Sequence, residues 1–362
     1  MIPMSRPTFG PEEEQAVLDV MRSGYLAQGE RVREFEHAFA AATGARFAVA
    51  TSSGTTALFL ALLGHGVRPG DEVITSPLTF IATANAIVHT GAVPVFADVD
   101  DSLGLDVRAV AGMIGPRTRA VVPVHLHGNP CDMALLTVLA ARHGLALIQD
   151  ACQAVGAEMA GLPLGSHGTA VYSFYATKNL TTAEGGMVTT NDPEVAEACS
   201  SLRHQAYSGP AYVHDRVGYN FRMTELQAAI GLAQLSRLAA ITERRRRVAS
   251  YYDEAITDER YVRPAVHPDA RHVYHQYTLR LPAANGDASR ERDRIRERLV
   301  QAGVATGVYY PVPVHRQPAY ARYAAPRCPN SERASGDMYS IPVHHALSDA
   351  EVETVANAVA AL

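Results

Sequence analysis

The sequence predicts an α/β fold: a mostly parallel central sheet covered by helices, followed by a smaller C-terminal α+β domain. Three observations carry this. Short apolar or β-branched runs alternate with longer helix-patterned segments through the first part of the chain, the signature of a parallel sheet covered on both faces. From about residue 223 the alternation gives way to one long helical pattern with no proline to break it. And 362 residues suit one large domain with a smaller appendage.

The strand-like runs are "DEVITS" from Asp71, "AVPVFADV" from Ala92, "RAVVPVHL" from Arg119 and "GLALIQDA" from Gly144. Between them, "TTALFLALLG", a helix beginning near Thr55, and "MALLTVLAARHG" carry the helical pattern. The long segment "MTELQAAIGLAQLSRLAAITERRRRVASYYDEAI" is expected to bridge domains. Beyond it, "HVYHQYTLRL" and "VATGVYY" read as strands, "SRERDRIRERLVQAG" as a helix ending at Gly303, and "SDAEVETVANAVAAL" as a last helix capped by Ser348. The division expected is 1–235 for the large domain, and 236–362 for the linking helix and small domain.

A net charge of −5 gives no overall attraction to nucleic acid or anionic membranes. The four cysteines, Cys131, Cys152, Cys199 and Cys328, are scattered, which favours reduced thiols over a disulfide framework or a thiolate metal site. The N-terminal stretch has no basic region followed by an apolar core, and no window reaches membrane-span length. The expected location is the cytoplasm.

In parallel sheets ligands gather at the carboxyl ends of the strands, so polar residues there rank first. "TSSGTTALFLALLG" sets two serines and a glycine before a helix; the uncapped N–H groups fit phosphate, though simple N-capping explains them too. Asp150 directly follows an apolar strand in "LALIQDACQA". It could bind a protonated ring nitrogen or cap a following helix. "AVYSFYATKNL" brings a second strand out to Ser173 and Lys178, and Gly185 and Gly186 then allow a tight turn with close backbone approach. An amine, an acid, an anion-binding helix start and an aromatic at Phe80 in "PLTFIATANA" together make the kit for pyridoxal phosphate. The amine would form the Schiff base and shuttle protons; the acid would keep the pyridine nitrogen protonated.

The ordered series "GYLAQGERVREFEHAFA", "SSGTTALFLALLGHGVRPGDEVITSPLTFIATANAIVHTGAVPVFADVD", "QDACQAVGA", "SFYATKNLTTAEGGMVTTND", "VGYNFRMTELQAAIGLAQL" and "YYPVPVHRQPAY" covers nearly the whole chain. It resembles the DegT/DnrJ/EryC1/StrS family, sugar aminotransferases of the fold type I pyridoxal phosphate enzymes. The resemblance implies that Lys178 holds the cofactor, Asp150 meets the pyridine nitrogen, Gln153 contacts the ring and its O3′, and Phe80 stacks on the ring. Gly54, Thr55 and Ser173 would bind the phosphate. Asn220 would reach it from a neighbouring subunit, which implies a homodimer with shared sites. Tyr309, Tyr310 and His315 fall in the segment that faces the sugar in the family, with a packed core position the alternative for each.

Dehydratases of the family carry histidine at the Schiff-base position, so Lys178 points to transamination. Glutamate would be the donor, and a nucleotide-linked keto-sugar, most specifically a 4-keto-6-deoxyhexose, the acceptor. A keto-cyclitol acceptor and a non-catalytic ligand-binding protein are the competing readings. Two departures from the family pattern stand out. "RHQAYSG" follows the helix ending at Arg203, where relatives commonly show His-Gly, and "TTAEGG" replaces the usual loop while keeping acid-Gly-Gly. "ERRRR" from Glu243 reads as a solvated, partly paired helix face. His125 and His127 of "VHLHG" lack an evident third metal ligand and read as a turn near the pocket.

Overall fold

The structure is a computed structural model that describes residues 1–207, 212–282, 288–323 and 327–362. Seven strands form the main sheet, in the order Phe47–Thr51, Gly186–Thr190, Thr169–Ser173, Ala146–Asp150, Thr118–Val122, Glu72–Thr75, Val93–Phe96. Only Gly186–Thr190 runs against its neighbours; the other pairings are parallel. All four predicted runs are therefore strands of one parallel sheet, trimmed to 4 or 5 residues.

Alternation along each strand feeds two cores. Ala170 and Tyr172 join Phe35, Phe39, Ile74 and Met187 on one face. Val171 joins Leu58, Leu62, Val73, Val122 and Cys199 on the other. Phe39 meets the rings of Tyr172 and Phe174 edge-on, at 5.0 Å and 5.2 Å between centroids, an arrangement that adds to area burial. No disulfide is formed among the described residues.

The long helix spans Glu225–Ala255, 31 residues, and Thr224 caps it with a reciprocal bond to Gln227. Its first turn is tied to the large domain: the buried Glu225 carboxylate accepts from the N–H groups of Gly29, Arg31 and Val32 at 2.8–2.9 Å. Farther along, Val248, Ala249 and Tyr252 enter a separate core with Tyr277, Leu279, Tyr339 and Val355. The expected boundary at 235 thus falls inside a helix that belongs to both halves.

In the second half, Ala288–Gln301 is helical and Ser348 caps Asp349–Ala360 with Glu351 completing the box. Two strand expectations need correction. Of "HVYHQYTLRL" only Tyr277–Arg280 is strand, paired antiparallel with Met338–Ile341. "VATGVYY" is not a strand: Val304 bridges Ile2 and Gly307 bridges Ser340, each alone. It meets Met338–Ile341 on the edge opposite Tyr277–Arg280, and only at Gly307.

"ERRRR" is also corrected. Arg245 is 3% exposed and donates to the carbonyls of Tyr274 and His275 at 3.0 Å and 3.4 Å. Arg246 donates to the His272 carbonyl at 3.0 Å, and only Glu243 and Arg247 are exposed. Burial lowers the Arg245 guanidinium to about 10. At Arg245 and Arg246 the helix clamps a crossing segment instead of meeting water, while Glu243 pairs with Arg271 and Arg244 with Asp349, the partial pairing expected.

Candidate active site

A cavity of about 670 Å³ opens at the carboxyl ends of the strands, where a sheet of this kind collects ligands. The strand Phe47–Thr51 delivers Ser53, Gly54 and Thr55 to it; the strand Ala146–Asp150 delivers Asp150, Cys152 and Gln153; the strand Thr169–Ser173 delivers Ser173 and the turn with Lys178.

The helix starts at Gly54, one residue earlier than expected, behind Ser53, whose Oγ accepts from the Thr56 N–H at 3.2 Å. One N–H is thus capped, and the helix start still faces the cavity beside the Ser173 hydroxyl. A Cβ at Gly54 would lie 2.8 Å from Ser173 Cβ and 2.9 Å from Cys152 Sγ, so only glycine lets the two loops meet. A Cβ at Gly186 would lie 2.3 Å from the Ser53 carbonyl oxygen, the close backbone approach expected for this glycine. These contacts build an anion cradle.

No helix follows Asp150, so the capping alternative falls away. The side chain is 6% exposed; its Oδ2 accepts from Thr83 Oγ1 at 2.7 Å and its Oδ1 from the Cys152 N–H at 3.1 Å. A carboxylate has about four accepting sites, and the remainder are available to the cavity that Asp150 lines. Gln153 is fixed at both ends, Oε1 accepting from the His127 N–H at 2.7 Å and Nε2 donating to Tyr310 Oη at 3.2 Å. The "VHLHG" segment is thus a turn beside the pocket. Among the described residues no group of His, Cys, Asp and Glu could hold a metal ion.

Lys178 lines the cavity. Its backbone N–H bonds the Tyr175 carbonyl at 2.9 Å, while its amine has no hydrogen-bonding partner among the described residues. Burial pushes the amine below the ordinary lysine value, against a smaller upward pull from Cys152 and Asp150. A neutral amine is a nucleophile. Phe80 is 54% exposed, leaving a ring face open, and lies 5.8 Å from the Tyr310 ring, tilted by 37°.

Of the residues expected from the sequence, Gly54, Thr55, Phe80, Asp150, Gln153, Ser173, Lys178, Tyr309 and Tyr310 come together around this cavity. His315 does not: it is buried against Phe96 and bonded to Glu332 at 2.9 Å. Asn220 is exposed and forms a bridge with His204, outside its own chain's cavity. The last two residues of "RHQAYSG" lie outside the described residues; within it, His204 Nδ1 meets Arg222 Nη1 at 2.8 Å.

Sequence reading missed Thr79, Thr83, His275, Gln276, Met4 and Ser5, all in the cavity wall. Thr79 and Thr83, four apart around Phe80, were accessible from spacing. Met4 and Ser5 carry no local signal, since they arrive through pairing of Ile2 with Val304.

An anion cradle, a carboxylate with accepting capacity to spare, an open aromatic face and an unpartnered amine fit the phosphate, ring nitrogen, ring and aldehyde of pyridoxal phosphate. Fold and site together define a fold type I pyridoxal phosphate-dependent transferase. Residues 7–360 match the DegT/DnrJ/EryC1/StrS aminotransferase family, and the chain belongs to it; it is an aminotransferase. It is 41% identical to the spore coat polysaccharide biosynthesis protein SpsC of Bacillus subtilis, over 99% of this chain and 96% of that one. It is 39% identical to the GDP-perosamine synthase of Caulobacter vibrioides, over 98% and 96% of the two chains. Among solved structures, S. venezuelae DesV in complex with a ketimine intermediate superposes with a TM-score of 0.92 at 38% identity, covering 97% of this chain and 94% of that one.

Proposed function

We propose that the enzyme transfers an amino group from glutamate to a nucleotide-linked keto-sugar, a 4-keto-6-deoxyhexose, making an amino-sugar. The observation that carries this is the placement of the Lys178 amine in the same cavity wall as Asp150. The similarity to a GDP-perosamine synthase and to a polysaccharide biosynthesis protein supports a sugar acceptor.

Pyridoxal phosphate, when bound, supplies an aldehyde that carries nitrogen and a protonated ring that withdraws electrons. Gly54, Thr55 and Ser173 would hold its phosphate, and Phe80 would stack on the ring. Asp150 would keep the ring nitrogen protonated, and Gln153, locked by His127 and Tyr310, would contact the ring and its O3′. Lys178 would hold the cofactor covalently at rest. Once released, its amine, whose proton affinity burial lowers, would be the base that takes up and gives back the proton of the donor's α-carbon. Tyr309 and Tyr310 face the acceptor. Asn220 completes the phosphate site of the other subunit in a homodimer, consistent with its exposure on its own chain. The compartment is the cytoplasm, in keeping with reduced cysteines.

The purified protein is expected to absorb in the violet with the cofactor, lose that band on adding glutamate, and regain it with a nucleotide-linked 4-keto-6-deoxyhexose. Lys178→Ala should abolish turnover. Bleaching by glutamate without recovery on any nucleotide-linked keto-sugar would overturn the acceptor assignment; turnover by Lys178→Ala at the normal rate would overturn the catalytic one.

A further inference from the structure

A chain of hydroxyls ends on Asp150. Thr83 Oγ1 donates to Asp150 Oδ2 at 2.7 Å, which commits the single Thr83 proton. The 2.8 Å contact between Thr79 Oγ1 and Thr83 Oγ1 must then be filled by the Thr79 proton. The order is fixed: Thr79 to Thr83 to carboxylate, each bond polarising the next. Both threonines are buried, 3% and 1% exposed, so water does not compete for them. They stand four residues apart across the start of the helix Ala82–His89, and Phe80 lies between them in sequence. The Thr83 N–H also bonds the Phe80 carbonyl at 3.2 Å. One short segment thus presents an aromatic face to the cavity and holds the acid at its floor.

We propose that Thr83, oriented by Thr79, is a positioning residue of the transamination: its hydroxyl aims the Asp150 carboxylate at the cofactor's ring nitrogen. This rests on the reading of Asp150 as the partner of that nitrogen. The carboxylate is held from two sides, by the Thr83 hydroxyl and by Cys152, whose backbone N–H and thiol both approach it. Without the hydroxyl, rotation about the Cβ–Cγ bond is restrained from the Cys152 side alone, by a 3.1 Å backbone bond and a weak thiol contact. The ring nitrogen would then meet an acid that is present but misdirected. Cys152 and Ser173 approach Gly54 from the same side of the cavity floor, so the phosphate cradle and this acid share a wall that a wandering carboxylate would disturb.

The test is to load wild type, Thr83→Val, Thr83→Ser, Thr79→Val and Asp150→Asn with pyridoxal phosphate carrying ¹⁵N in the ring, and to follow the pyridine nitrogen shift against pH. A misdirected carboxylate loses its hydrogen bond to the charged ring nitrogen, which predicts that the ring-proton midpoint in Thr83→Val moves about one pH unit or more toward acid. Thr83→Ser should keep the wild-type midpoint, and Thr79→Val should move it less, in the same direction; this variant also serves if Thr83→Val does not fold. Wild-type titration in both valine variants with the ring proton lost in Asp150→Asn would overturn the positioning role alone. A ring proton retained in Asp150→Asn would instead overturn the assignment of Asp150.

Discussion

Gly54 sits where a methyl group would stand 2.8 Å from the Cβ of Ser173, so the start of one helix and the end of one strand are spaced by a single absent side chain. Gly54→Ala must push the two apart, a strain of about 1–3 kcal/mol. The expected result is cofactor affinity weakened roughly tenfold or more with the fold retained. It is measured by titrating cofactor-free protein with pyridoxal phosphate and comparing thermal melts. Unchanged affinity would remove Gly54 and Ser173 from the phosphate site.

The depressed Lys178 amine makes stability pH-dependent in the cofactor-free protein. Between its lowered folded value and the ordinary 10.5, the unfolded chain holds a proton that the folded chain lacks. Stability therefore rises with pH in that window, by at most about 1.4 kcal/mol per pH unit. Lys178→Met should be the more stable protein at neutral pH and should lack this rise. Cys152, whose thiol burial raises above 9.0, acts oppositely in alkali, so the two proteins are compared below that pH by urea denaturation. Parallel curves would contradict the depressed amine.

Arg245 and Arg247 give opposite expectations two residues apart. Arg245→Met strands the Tyr274 and His275 carbonyls under the helix and should cost about 2–4 kcal/mol. Arg247→Ala, at an exposed position, should stay within about 0.5 kcal/mol. Chemical denaturation of both variants decides it, and equal effects would restore the solvated-face reading of the cluster.

Shared sites predict complementation. Lys178→Ala and Asn220→Ala homodimers should each be inactive or nearly so. Subunits exchanged between them form mixed dimers in which one site has both residues, restoring about a quarter of wild-type activity at equal mixing. No recovery, with mixed dimers demonstrated by tagged subunits, would place Asn220 outside its partner's site.

Asp150 and Ser173 were legible in the sequence because each closes its strand, and Lys178 because it lies in the turn just beyond Ser173; a strand end followed by small or polar residues fixes place without tertiary information. Gly54 was legible for the same reason. Arg245 was not: whether a helical arginine meets water depends on what crosses it, here carbonyls 29 and 30 residues on. His315 differs likewise, its place set by Glu332 and Phe96. "VATGVYY" has the composition of a strand, but its backbone pairs at single residues, Val304 with Ile2 and Gly307 with Ser340, and composition does not report how far a pairing runs. The Thr79–Thr83–Asp150 chain lies between: the spacing was visible, but not the acid it would meet.

The 31-residue helix Glu225–Ala255 carries phase as well as length. Glu225 fixes its rotation against the large domain, and Arg245 faces Tyr274 twenty residues later. Each residue turns a helix by about 100°. One residue inserted near Leu235 would keep every hydrogen bond of the rod yet swing Arg245 about a quarter-turn away from its carbonyls. Register in this rod is set at Glu225 and read out again beneath His275, so exposed positions in its middle such as Ser236 and Ala239 should accept substitutions readily and insertions or deletions hardly at all.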